Sequence, residues 1–182
     1  IDSATLMNKV FEVIEAKNIF NLDYNKISIL IHPKSYLHAI TKFNNGLTKL
    51  LLHEPDMRIP IYNSIYNNRN EYFESKSINL DILNNLELKK VNINQFPLVK
   101  ILNKLPKFNS LYETAIITIN DHFVYSFLKK ELSYNKMIKM INKFCNHKDI
   151  LKFKRIPVKN VEQIHEIRNY LSLKLQNFVY KI

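Results

Sequence analysis

The chain has 182 residues, 46% of them apolar, with a formal net charge of +11. That apolar share excludes a disordered chain, no apolar run approaches the roughly 20 residues of a membrane span, and a single cysteine, Cys145, excludes an internal disulfide and a cysteine-based zinc site. The charge raises nucleic acid as a partner. Against it, only Arg58, Arg69, Arg155 and Arg168 are arginine beside 23 lysines, and arginine is the better reader of phosphates and base edges.

Taken in order, the chain opens with a helix predicted over about 5–17. Asp2, Ser3 and Thr5 are helix-capping types. Met7, Val10, Phe11 and Ile14 recur as an apolar stripe, and Asn8, Glu12 and Glu15 form one polar line. Residues 18–25 read as a polar connection. The β-branched run 27–31 reads as a buried strand ending at His32-Pro33. Residues 36–43 and 47–52 read as a hairpin about Asn45-Gly46, the chain's one glycine. A loop over 54–59 leads to a short helix begun by Pro60 and reaching about Tyr66.

Residues 67–95 are asparagine-rich and read as a connection with short apolar patches near 78–83 and 86–88. The rest reads as helical. A first segment, 96–105, stops at Pro106. Ser110-Leu111-Tyr112-Glu113 is a capping box opening a helix to about Leu132. Residues 133–147 form another helix, 148–159 a break, and Asn160 opens a last helix striped by Val161, Ile164, Ile167, Leu171, Leu175 and Phe178. Four such helices can bury their stripes as a bundle. The fold class is α+β: a partial α/β domain with a short mixed or antiparallel sheet, then a linker and a helical bundle.

The first helix start suits an anion, because its backbone N–H groups and dipole are positive there. Ser3, Asn8 and Lys9 add a hydroxyl, an amide and an ammonium, and Glu12, one turn beyond Asn8, offers carboxylate oxygens to a divalent cation. On spacing alone, an ordinary capped amphipathic helix with its charged residues in water is the favoured account of these positions, since helix starts are common and phosphate sites are not. The literal string decides further. Residues 2–9, Asp-Ser-Ala-Thr-Leu-Met-Asn-Lys, with Glu12 and Glu15-Ala16, resemble the signature of the 1-deoxy-D-xylulose 5-phosphate reductoisomerase family. Two further strings match in order: Ile31-His32-Pro33-Lys34-Ser35 with His38 beyond, and Pro55-Asp56-Met57-Arg58 followed by Pro60-Ile61.

The resemblance implies an NADPH- and divalent-metal-dependent enzyme that rearranges and reduces a sugar phosphate, 1-deoxy-D-xylulose 5-phosphate, to 2-C-methyl-D-erythritol 4-phosphate in isoprenoid synthesis. It implies that residues 1–66 end the catalytic domain, 67–95 form the linker and 96–182 the helical domain. It assigns substrate phosphate to Ser3, Asn8 and Lys9, and Mg2+ or Mn2+ to Glu12, making Lys9 and Glu12 the catalytic pair. It places His32 at the substrate, with a backbone-bonded strand-end histidine as the alternative, and Pro55 and Met57 at the cofactor. His38 reads as structural, and Asp56 with Arg58 as an ion pair.

One glycine cannot supply G-x-G-x-x-G, so the NADPH domain and the family's other metal ligands are expected upstream, and this piece of a longer chain is expected to be inactive alone. A homodimer through the sheet and a bacterial cytoplasmic or plastid-type location are implied, with no nucleic acid and no membrane. The competing function is a non-enzymatic basic helical module binding an acidic partner or nucleic acid, since residues 71–182 carry nineteen basic and ten acidic side chains. Departures stand out too. Val10 replaces a family glycine, which either narrows the site or adds packing. The helical motif Asn-Ala-Ala-Asn-Glu reads Thr118-Ile119-Asn120-Asp121-His122, keeping Asn120 and the acid after it.

Overall fold

The computed structural model describes residues 1–66, 73–77 and 79–179, with side chains described to Gln176. The chain forms two compact units. One joins residues 1–28 to 92–182, and the other is residues 29–91.

The first unit begins with α1, Asp2–Thr5, and α2, Met7–Phe20. The sequence pattern predicts one helix here. The structure breaks it at Leu6, which takes φ 57°, a left-handed value that no glycine or asparagine announces. The helix also outruns its expected end by three residues and stops at Asn21, again left-handed. The stripe is as expected: Met7, Val10 and Ile14 are buried and Phe11 is partly so. Their cluster includes Leu98, Ile101, Tyr112 and Ile141. The chain's start therefore folds with its end, a pairing no amphipathic stripe can specify because a stripe does not name its partner.

Later in the second unit, described below, lie α3, Arg58–Ile65, and α4, Leu80–Asn84. Back in the first unit, Pro97–Lys104 is a 3-10 helix rather than an α-helix. Its buried side chains, Leu98 and Ile101, stand three apart, the period of that tighter helix. α5, Leu111–Leu128, is the central helix. It buries Leu111, Tyr112, Ala115, Ile116, Ile119 and Phe123, and each of the leucine, isoleucine and phenylalanine side chains contributes roughly 1.5–3 kcal/mol by leaving water. α6, Tyr134–Cys145, starts at Ser133, whose hydroxyl accepts from the Lys136 N–H.

The expected break after α6 contains α7, Lys148–Leu151, and a 3-10 turn, Lys152–Arg155. α8, Val161–Val179, buries Leu171 and Leu175, while Val161 is exposed and the Phe178 side chain lies outside the described residues. Tyr112 donates its hydroxyl to the Cys145 carbonyl at 2.9 Å. Burial pushes the Cys145 thiol up to about 12, leaving it an unreactive core side chain.

The capping box at the head of α5 forms as the sequence predicts. Ser110 Oγ accepts from the Tyr112 N–H, and Glu113 accepts from the Ser110 N–H at 3.1 Å. Burial raises the Glu113 carboxyl above its ordinary value of 4.5, outweighing the hydrogen bonds from Ser110. The folded state therefore holds that proton longer than the unfolded chain, so stability falls as pH rises from about 4.5 through the raised value. Glu113→Gln keeps a box-forming side chain and removes this titration. Its melting temperature relative to the parent should climb with pH above 4.5 and be lowest below it; a pH-independent difference would refute the assignment.

The second unit holds two antiparallel strand pairs. β1, Leu30–Ile31, pairs with β4, Lys89–Lys90. β2, Leu37–Lys42, pairs with β3, Thr48–Leu52, around Gly46 at φ 87°. The hairpin and its glycine are where the sequence puts them. The expected buried strand over 27–31 is not: only two residues pair, and Leu30 is 42% exposed. A β-branched run has the propensity for a strand, but the available partner is two residues long. α3 follows the loop at Glu54 and contains Pro60 in its first turn. α4 is capped by Asn79 accepting from the Ile82 N–H. Residues 67–72 and 78 of the expected connection lie outside the described residues. The class is α+β, with strand pairs that are all antiparallel among the described residues.

Candidate functional site

The candidate site grows from the Leu6 turn. Leu6 donates its N–H to Ser3 O at 3.3 Å and accepts from the Val10 N–H at 3.2 Å, so the left-handed residue closes α1 and opens α2. The Met7 N–H reaches Thr5 Oγ1 at 3.4 Å. The N–H groups of Asn8 and Lys9 have no acceptor among the described residues, as the first turn of a helix leaves them. They sit at the positive end of a 14-residue helix. Ser3 is exposed on α1. Asn8 is half-buried, and its Oδ1 has no hydrogen-bond partner among the described residues.

Lys9 and Glu12 meet. The ammonium lies 3.0 and 2.8 Å from the two carboxylate oxygens, with the side chains 39% and 52% exposed. Such a pair on a helix surface contributes little to stability. What it does is set a cation and an anion side by side next to free backbone donors. Glu15 is exposed one turn on. The described residues contain no cluster of three or more histidine, cysteine or acidic side chains suited to a metal. A hard divalent cation takes about six oxygens, so Glu12 is a partial ligand set among the described residues. The chain's one glycine, Gly46, lies in the hairpin.

The other sequence-derived residues belong to the second unit. His32 is buried, and its Nδ1 accepts from the N–H groups of Tyr36 at 2.9 Å and Leu37 at 3.2 Å. That is the backbone-bonded arrangement, and it leaves Nε2 as the ring nitrogen carrying hydrogen. Pro55 and Met57 are exposed on the loop before α3. Between them, Asp56 receives a fork from Arg58, Nε at 3.0 Å and a terminal nitrogen at 2.7 Å. The Arg58 hydrogen bonds hold the Asp56 carboxyl below its ordinary value. This loop borders a cleft of about 400 Å³ lined by Pro55, Asp56, Arg58, Phe73, Glu74 and Lys76. His38 stacks on His53, ring centroids 3.5 Å apart, at the base of the hairpin.

Two contacts to the first motif come from the helical part. Asn120 donates to Asp2 Oδ1 at 3.1 Å, and Tyr134 donates its hydroxyl to Ala4 O at 3.0 Å. The surviving asparagine of the helical motif was a sequence signal for the first; Tyr134 carried none.

Against known proteins, the family model for the DXP reductoisomerase C-terminal domain matches residues 52–171. The chain belongs to the 1-deoxy-D-xylulose 5-phosphate reductoisomerase family. It is 51% identical over 177 residues to the reductoisomerase of Pelagibacter ubique, covering 97% of this chain and 46% of that one. To the Persephonella marina enzyme it is 34% identical, covering 97% and 48%. The chain thus spans about half the length of the curated relatives it matches. Its fold also superposes on solved reductoisomerases. One, from Zymomonas mobilis in complex with NADPH, has TM-score 0.79 at 22% identity, over 98% of this chain and 46% of that chain. Another, in complex with NADPH, fosmidomycin and magnesium, has TM-score 0.80 at 24% identity, over 99% and 44%. At those identities the likeness is one of fold. Among the described residues, no helix is long and apolar enough to cross a membrane.

Proposed function

We propose that this chain is the C-terminal part of a reductoisomerase that converts 1-deoxy-D-xylulose 5-phosphate to 2-C-methyl-D-erythritol 4-phosphate with NADPH and Mg2+ or Mn2+, and that it is inactive alone. Residues 1–66 then end the catalytic domain, 67–95 form its linker and 96–182 its helical domain. The observation that carries the reading is the start of α2, where free N–H groups, Asn8, Lys9 and Glu12 share one turn and a half.

Ser3 Oγ, the Asn8 amide and the Lys9 ammonium bind the substrate phosphate beside the helix end. Glu12 contributes one carboxylate to the divalent ion, whose remaining ligands come from outside this chain. That ion, when bound, polarises the substrate carbonyl. His32 offers its Nε2–H to the substrate while its Nδ1 secures the 32–37 turn. Pro55 and Met57 meet the nicotinamide from their exposed loop. The hairpin exposes Ile40, Leu50 and Leu51, and supports a homodimer through this sheet. The relatives' bacterial sources support a cytoplasmic location.

The test is NADPH consumption with 1-deoxy-D-xylulose 5-phosphate and Mg2+ or Mn2+, on these 182 residues and on a chain extended upstream to the relatives' length. Turnover by the longer chain only is expected. Turnover by the short chain would mean the cofactor site is misplaced, and silence of both would point to a relative with changed chemistry.

A further inference from the structure

The part of the candidate site with the least support of its own is α1. Four residues make one turn, below the length at which a helix persists unaided. It ends in a left-handed leucine at φ 57°, a conformation that survives where the surroundings over-determine it. The surroundings here are two hydrogen bonds from distant helices. They land on Asp2 and Ala4, the residues flanking Ser3. Thr5, almost fully buried, adds a third, from its Oγ1 to Asp2 O at 3.2 Å.

Asn120 is the unusual partner. It is 1% exposed in the middle of α5, between the buried Ile119 and Phe123. Its Oδ1 is buried with no partner among the described residues, so its one bond is the one to Asp2. An apolar side chain would occupy this place without an unmet acceptor. The amide therefore earns its position through what it does to α1. Asp2 is a carboxylate one residue from Ser3, and it also faces the charge of Asp121. Bonded to Asn120, it is held on the helical side with a donor against it. Tyr134 fixes the backbone on the other side of Ser3.

We infer that Asn120 and Tyr134 are positioning residues for phosphate binding: they hold α1 so that the Ser3 hydroxyl addresses the same anion as Asn8 and Lys9. This rests on the phosphate reading of those three residues. The helical domain is then more than a support, because it sets one of the phosphate donors from across the core.

The experiment compares steady-state kinetics of Ser3→Ala, Asn120→Asp, Tyr134→Phe and the exchange Asp2→Asn/Asn120→Asp in the full-length protein. Asn120→Asp loses the donor and opposes two carboxylates. KM for 1-deoxy-D-xylulose 5-phosphate should rise roughly tenfold with kcat nearly kept, since a lost hydrogen bond to a charged group on the binding side acts on KM. Tyr134→Phe should raise KM about threefold. The exchange restores a donor–acceptor pair in reverse, and KM should return to within about threefold of the parent. A residue that only stabilised the fold would lower the melting temperature and leave this split unmoved.

If Ser3→Ala raises KM while Asn120→Asp and Tyr134→Phe do not, the tether is structural and the inference is overturned with the phosphate reading intact. If Ser3→Ala leaves KM unchanged, the phosphate reading itself falls and takes the inference with it. Should Asn120→Asp fail to fold, Tyr134→Phe decides, as it removes one exposed hydrogen bond.

Discussion

Glu12→Gln in the full-length protein is expected to lower kcat/KM about 10³-fold, the consequence of losing several kcal/mol of charge stabilisation at a reacting centre. The size of the effect separates two roles that the geometry leaves side by side. Glu12 lies 2.8 Å from the Lys9 ammonium, and both side chains are well exposed. If the carboxylate did no more than pair with Lys9, its loss would be worth at most about 1 kcal/mol, less than a tenfold change in any readout. A site carboxylate that brings a divalent ion to the substrate loses far more. The half-saturating Mg2+ concentration should rise as well. Denaturant stability should stay within about 0.5 kcal/mol, as befits a surface substitution. A kcat/KM within tenfold of the parent, at saturating metal, would remove Glu12 from the site and leave it as the partner of Lys9.

What was legible in the sequence was local. The capping box at Ser110 and Glu113 could be read because both halves lie within one turn. The hairpin could be read because Asn45-Gly46 determines its own geometry, and Gly46 does take a positive φ. The stripe of α2 predicted the buried Met7, Val10 and Ile14, and that of α8 the buried Leu171 and Leu175 but also Val161, which is exposed. The elements that went unread are those decided by a distant partner. Lys89–Lys90 carries no strand signal and is a strand only because β1 lies beside it. The run before His32 has the signal but finds two residues to pair with. The helix break at Leu6 has no local cause in residue type; it coincides with contacts from α5 and α6.

The candidate site divides in the same way. Ser3, Asn8, Lys9 and Glu12 stand within ten residues, and a helix start brings anion-binding groups together by its own periodicity. The structure puts Asn8, Lys9 and Glu12 on the opening turns of α2, as the spacing requires. His32 was open between two roles. Its Nδ1 now has a backbone task, which no residue-type argument could assign. Asn120 and Tyr134 reach α1 across 118 and 130 residues, and only folding brings them there.

Val10→Gly, restoring the glycine that the family motif carries, is expected to destabilise the chain by about 3 kcal/mol, combining the lost burial of a valine with the lower helix propensity of glycine. In sequence, a β-branched residue beside Lys9 could be read as narrowing the phosphate site or as adding packing. The structure favours packing: Val10 is 0% exposed and belongs to the cluster with Met7, Ile14, Leu98 and Ile101. Lys9, its neighbour, points its ammonium to Glu12 on the exposed side. Adjacent residues on a helix face about 100° apart, so one can line a site while the next fills a core. Urea unfolding should show a lower midpoint with an unchanged slope. The folded fraction of the full-length variant should keep the parent's KM for the sugar phosphate. A loss below about 1 kcal/mol together with a shifted KM would mean that the valine shapes the site, and that this member's substrate preference was altered at residue 10. The packing outcome instead makes Val10 part of the core it shares with Leu98 and Ile101, a role for the fold and not for the phosphate site.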